Sequence, residues 1–228
     1  MSISASEIRE KAEKIRGQIT ADRRKLHQIP EIGMDLPETS AYIRKRLDEM
    51  GIPWKDCGGE LPEKVTKDFM EAGFPQMERA VGVTAVIGKG SPCILLRADM
   101  DALPIREESD LEFKSCNGYG HMCGHDSHVA MLLGAAQILK DMEDSLKGSV
   151  KLVFQPGEET GAGARVLVEN GLLENPKVDA AFGLHVQPAT KTGEAGYSVG
   201  VNSSSLDTFI LKIKGRGGHS SQPQLCVD

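Results

Sequence analysis

Apolar positions recur along this chain at two different periods, and each change of period marks an element. Ser4 and Glu7 stand at capping-box spacing, and Ile8, Ala12, Ile15 and Ile19 follow three and four apart, which predicts an opening helix interrupted by Pro30. A second helix is expected from Glu38 to Met50, with Pro37 near its start, Ile43, Leu47 and Met50 inward and Gly51 as its stop. Val81–Ile87 and Cys93–Leu96, joined by Gly88, Lys89 and Gly90, are apolar without polar alternation, as strands covered on both faces are. A third helix runs from about His128 to Met142, with Val129, Leu132, Leu133, Ala136 and Leu139 on one side. The strand Val150–Gln155, a loop, a helix ending near Gly171 and the strand Ala180–His185 follow. Strand and helix therefore alternate, which predicts an α/β fold: a mixed, largely buried sheet flanked by helices. Residues from Pro53 to Arg79 keep neither period and read as a long loop with room for one short helix.

The pattern changes after Asn202. Phe209, Leu211 and Ile213 alternate with Thr208, Lys212 and Lys214, broken by Ile210, so Asp207–Lys214 reads as a strand with one wet face. Such a strand does not belong inside a buried sheet. The expected division is a larger α/β domain over residues 1–202 and the beginning of a smaller domain over residues 203–228.

Composition narrows the class. With 39% apolar and 26% charged residues, the 228-residue chain is ordinary for a globular protein. The formal net charge of -6 speaks against nucleic acid or an anionic membrane as a partner. No stretch approaches the roughly 20 apolar residues of a membrane helix, and the charged N-terminus lacks a signal peptide's apolar core. A cytoplasmic setting is expected, with the five cysteines as free thiols.

Candidate chemistry gathers where predicted strands end. Arg97-Ala98-Asp99-Met100-Asp101 leaves one strand; His121-Met122-Cys123-Gly124-His125-Asp126-Ser127-His128 precedes a helix; Gly157-Glu158-Glu159 and His185 follow two further strands. Open α/β sheets hold their sites beyond strand C-termini. Thiolate, imidazole and carboxylate together are the ligands of a borderline-soft divalent metal such as Zn²⁺. Plainer roles stand beside these: His27, His121 and His128 as hydrogen-bonded structural residues, and Asp99 and Asp101 as caps of the next segment. A charged helix face is the usual home of paired glutamates, but Glu158 and Glu159 follow a strand and a Pro156-Gly157 turn. Cys123 with a nearby base is also readable as a nucleophile, although that leaves Glu158, Glu159 and His185 without a task. No phosphate-binding or dinucleotide fingerprint occurs.

At these residues the chain resembles the M20 metallopeptidases, in the amidohydrolase branch of hippurate hydrolases, N-acyl amino acid deacylases and auxin-conjugate hydrolases. The resemblance rests on residues 97–104, 121–126, 157–159, 183–186 and Gly215-Arg216-Gly217-Gly218-His219-Ser220-Ser221, and runs from about Leu26 onward. It implies two divalent ions (Zn, Mn, Co or Ni) held by Cys123, His125, Glu159 and His185, with Glu158 as general base and Asp101 orienting a ligand imidazole. It further implies that His219, in a lid domain, reaches the carbonyl of a small N-acyl amino acid across a homodimer interface. In the family the lid continues beyond the position of Asp228 and the catalytic domain then resumes with a further histidine ligand. A truncated chain with an incomplete site and an open sheet edge is therefore expected, either as a hydrolase portion or as a non-catalytic fragment that binds metal weakly.

Overall fold

The computed structural model describes residues 3–71, 73–201, 204–205, 209 and 211–227. The chain divides into two compact units, Met1–Ala195 and Gly196–Asp228.

The first unit is a five-stranded mixed sheet with helices on both faces. Its strands are β1 (Trp54–Glu60), β2 (Arg79–Gly88), β3 (Cys93–Asp99), β4 (Ser149–Gln155) and β5 (Ala180–Gly183), in the spatial order β1-β2-β4-β3-β5. β1–β2 and β2–β4 are antiparallel, whereas β3 runs parallel to both β4 and β5. Asp99 pairs with Gln155 and Arg97 with Gly183. Three neighbouring strands thus release their following loops at the same end of the sheet.

Why the strands lack polar alternation is visible in the packing. Leu152 and Phe154 of β4 and Ala98 of β3 join Leu26, Ile43, Leu47, Val129 and Leu133 in one core on the face covered by α1 (Ala5–His27), α2 (Pro37–Glu49) and α4 (His125–Asp141). Leu95 and Val153, pointing the opposite way, meet Leu167 of α5 (Gly163–Glu169) and Leu172 in a second cluster. Both faces are dry, so both phases of the pleat are apolar. The exception is Lys151 on β4, buried on the α5 side, whose Nζ donates to the carbonyls of Leu172, Glu174 and Pro176 at 2.8, 2.7 and 3.0 Å. All three ammonium donors are used, which offsets the cost of burying the charge and ties down the segment leading into β5.

Ser4 caps α1, its Oγ accepting from the Glu7 N–H at 3.2 Å. The loop expected over Pro53–Arg79 is instead β1 followed by α3 (Glu63–Glu71). β1 carries Gly58 and Gly59 and leaves several side chains in water, so its structure comes from the ladder with β2 rather than from its own pattern. α4 begins at His125, three residues before the expected start. β5 is an edge strand whose four residues are all exposed.

In the second unit, Arg216 and Val227 pair as an isolated bridge, and Pro223–Leu225 forms a single 3₁₀ turn. Of the strand expected over Asp207–Lys214, Asp207, Thr208 and Ile210 lie outside the described residues. Phe209 and residues 211–214 are exposed and not in a strand. No helix among the described residues is long and apolar enough to cross a membrane.

Candidate metal centre

The loops leaving β3, β4 and β5 converge on the first turn of α4. Gly124 caps that helix at φ +84°, a left-handed conformation that disfavours side chains, and it places Cys123 and His125 on either side of a sharp entry. His125 is fully buried. Its Nδ1 donates to the Asp101 carbonyl at 2.8 Å. A carbonyl can only accept, so Nδ1 carries a proton and the neutral ring has its lone pair on Nε2, which has no hydrogen-bond partner among the described residues. Around that nitrogen stand Asp99 Oδ2 at 3.6 Å, Glu158 Oε2 at 3.9 Å and Glu159 Oε1 at 3.9 Å.

Asp101 is the organiser of the acidic side. Its carboxylate accepts the backbone N–H groups of Glu158 and Glu159 at 3.1 and 3.0 Å, while its own carbonyl orients His125. Gly157, at φ +64°, supplies the turn that brings the two glutamates there, and a Cβ at that position would meet Met34 Sδ at 2.3 Å. Glu159 is the more enclosed of the pair, its side chain 19% exposed against 39% for Glu158. Glu159 Oε1 is buried without a hydrogen-bond partner among the described residues.

On the other side, His185 Nδ1 donates to the Val186 carbonyl at 2.7 Å, and its Nε2 lies 3.4 Å from Cys123 Sγ. Donor atoms of Cys123, His125 and His185 all fall within 4.8 Å of one another, as do those of His125, Glu158 and Glu159. The two groups share His125. A third group, Asp99, His125 and His128, is equally close, but both His128 nitrogens are engaged: Nδ1 donates to Asp99 Oδ1 at 2.5 Å, and Nε2 accepts the Val186 N–H at 3.0 Å.

The electrostatics are those of a site with surplus negative charge. Burial, together with the charges of Glu159 and Glu158, pushes the Cys123 thiol up to about 11. Burial and the neighbouring Glu158 and Asp101 likewise raise Glu159, against the pull of His125. For His125, burial opposes protonation, but Asp101, Asp99 and Glu159 outweigh it and raise the pKa. A cation among these donors would reverse each of these shifts and satisfy both orphaned atoms.

Of the seven residues singled out from sequence, six (Asp101, Cys123, His125, Glu158, Glu159 and His185) meet in this cluster. His219 lies in the second unit, exposed, with Nδ1 2.8 Å from Ser221 Oγ. Sequence reasoning missed the engagement of Asp99 with Arg97 and His128. The plainer reading holds for His27, which is buried between Asp126 at 2.7 Å and Glu107 at 3.1 Å. It holds only in part for His121, which is buried with neither ring nitrogen hydrogen-bonded among the described residues.

Comparison with known proteins defines the class. The profile of Peptidase family M20/M25/M40 matches residues 95–226, more than half of the chain, and the chain belongs to this family. Among curated relatives, it is 43% identical over 208 residues to the IAA-amino acid hydrolase ILR1-like 5 of Arabidopsis thaliana, covering 90% of this chain and 43% of that protein. It is 41% identical over 207 residues to the N-acetyl-L-cysteine deacetylase of Bacillus subtilis, covering 90% and 45%. The chain thus spans less than half the length of these relatives. Among solved structures, the YXEP protein of Bacillus subtilis, a dinuclear metal binding peptidase from the M20 family, aligns with a TM-score of 0.63 at 37% identity, covering 78% of this chain and 45% of that one. The architecture described above is that of the family's catalytic domain.

Proposed function

We propose that this chain carries the metal-holding part of an amidohydrolase that cleaves the amide bond of small N-acyl amino acids. In this reading Cys123, His125, Glu159 and His185 hold two divalent ions, drawn from Zn, Mn, Co and Ni. The observation that carries the proposal is the buried, unpartnered Nε2 of His125 standing between a sulfur–imidazole pair and a pair of carboxylates. A buried polar atom left unmatched costs about 1–3 kcal/mol, and a cation removes that cost. The donor chemistry suits such an ion: thiolate, imidazole and carboxylate are the ligands of a borderline-soft divalent metal, and these donor atoms already lie within 4.8 Å of one another in each group. Hydrolysis of amino acid conjugates by the named relatives, and two metals in the YXEP protein, support the same reading.

Bound divalent ions supply Lewis acidity, lowering the pKa of water and polarising the scissile carbonyl. The protein's own groups do the rest. Asp101 fixes His125 and the Glu158–Glu159 turn in one geometry. Glu158, the more exposed carboxylate, takes the proton from the attacking water and delivers it to the leaving amine nitrogen, a contribution of about 10²–10⁴-fold. His219, brought from the partner protomer of a homodimer, stabilises the developing oxyanion. Glu158→Gln is expected to abolish turnover of N-acetyl amino acids while metal content by mass spectrometry stays unchanged. Retained turnover would overturn the assignment.

One observation favours a cysteine nucleophile: Cys123 Sγ is 3.4 Å from an imidazole nitrogen. The thiol is shifted the wrong way for that role, up to about 11. Alkylation of Cys123 that inactivates metal-replete protein, combined with indifference to chelators, would select it. Absent turnover with weak metal uptake would instead select the non-catalytic fragment.

A further inference from the structure

We infer that His128 is a positioning residue that sets His185 opposite Cys123 by accepting the Val186 N–H. The inference rests on the reading of Cys123, His125 and His185 as cation donors and extends it to how the third donor is kept in place.

His185 needs such a device. It is exposed, it follows the four-residue edge strand β5, and its own Nδ1 bond reaches no further than the adjacent Val186 carbonyl. Among the described residues, the backbone of residues 184–188 is tied to α4 by Val186 N–H to His128 Nε2 at 3.0 Å, beside the 3.4 Å side-chain contact of His185 with Cys123. An N–H can only donate, so His128 Nε2 must be bare and its proton must sit on Nδ1, where Asp99 Oδ1 takes it at 2.5 Å. Asp99 is itself fully buried and paired with Arg97 Nη1 at 2.7 Å, and Arg97 Nε donates to Gln155 at 2.9 Å. A continuous chain of polar contacts therefore runs from the ends of β3 and β4, through α4, to the backbone beside His185.

Val186 is also held through its side chain. A Cβ on Gly124 would lie 2.5 Å from Val186 Cγ2, so the valine packs directly on the glycine between Cys123 and His125. Val186 thus contacts both the helix entry that carries two donors and the histidine that directs the third. The His128 and His185 rings meet edge to face at 4.6 Å. With both nitrogens occupied, His128 orients a ligand rather than acting as one. Outer partners of this kind typically account for about 10–100-fold in metal affinity.

The test is Co²⁺ titration of the 228-residue chain, followed by the near-ultraviolet thiolate-to-cobalt absorption that disappears in Cys123→Ser. His128→Phe keeps the ring volume and removes the acceptor; His128→Gln keeps an acceptor oxygen near the Nε2 position. The expected result is a Co²⁺ affinity lowered about 10–100-fold in His128→Phe and largely restored in His128→Gln, with unchanged circular dichroism in both. Wild-type affinity in His128→Phe overturns the inference, as does a folded His128→Gln no better than His128→Phe. Unfolding of both variants also overturns it, since His128 would then serve the fold and not His185. Absence of the Cys123-dependent band in the wild-type chain is a separate failure, that of the donor assignment itself.

Discussion

Cys123 and His125 are placed by the start of a seventeen-residue helix packed into the main core, whereas His185 stands on an exposed segment beyond a four-residue edge strand. The two regions meet in one donor cluster, but they are held there by different means. The helix entry is fixed by hydrophobic packing, a left-handed glycine and a buried carboxylate network. The β5 side is fixed by the Lys151 clamp, the Asp179–Cys93 contacts and the Val186 N–H on His128. The contrast suggests that one half of the site is preformed by the core, while the other is docked onto it by a few polar bonds.

The largest effects should separate the halves by metal content. His125 belongs to both donor groups, so His125→Ala is expected to lose both ions. His185→Ala leaves His125 and Glu159 together and should retain about one. Equal losses in the two variants, read by inductively coupled plasma mass spectrometry, would erase the distinction. Stability should divide the same way. Leu133, on α4 and fully buried, should cost about 2–5 kcal/mol as Leu133→Ala in urea unfolding. Leu184, largely exposed beyond β5, should cost no more than about 0.5 kcal/mol as Leu184→Ala.

A smaller effect concerns the buried polar cluster behind the helix entry. Burial pushes Glu107 up, but the Ser109 hydroxyl, the Ser115 N–H and His27 overcome it and hold the carboxyl down at about 2. A depressed carboxylate contributes stability above its unfolded pKa and loses it as pH falls toward the folded one. Glu107→Gln should therefore flatten the decline in stability between about pH 4.5 and 2. An identical acid limb in denaturant titrations of the two proteins would remove Glu107 from this role.

How much of this was legible beforehand follows the same division. β2, β3 and β4 are readable because burial on both faces leaves long apolar runs, and α4 because its stripe packs on the sheet. β1 was not, since an edge strand with two glycines and wet side chains carries no period of its own. The start of α4 was read too late: His125, Asp126 and Ser127 are chosen for the site and its supporting network and not for an apolar face. Six of the seven singled-out residues meet in space because strand ends in a parallel region are neighbours. The roles of Asp99 and His128 depend on contacts across 29 and 58 positions, which no local pattern encodes.

The sulfur of Cys123 and the imidazoles of His125 and His185 are expected to grip the same cation. Zinc K-edge X-ray absorption of the zinc-loaded chain measures this directly. A sulfur shell at about 2.3 Å beside nitrogen and oxygen at about 2.0–2.2 Å, lost in Cys123→Ser, is the expected result. A shell of nitrogen and oxygen alone in the wild-type chain would contradict it.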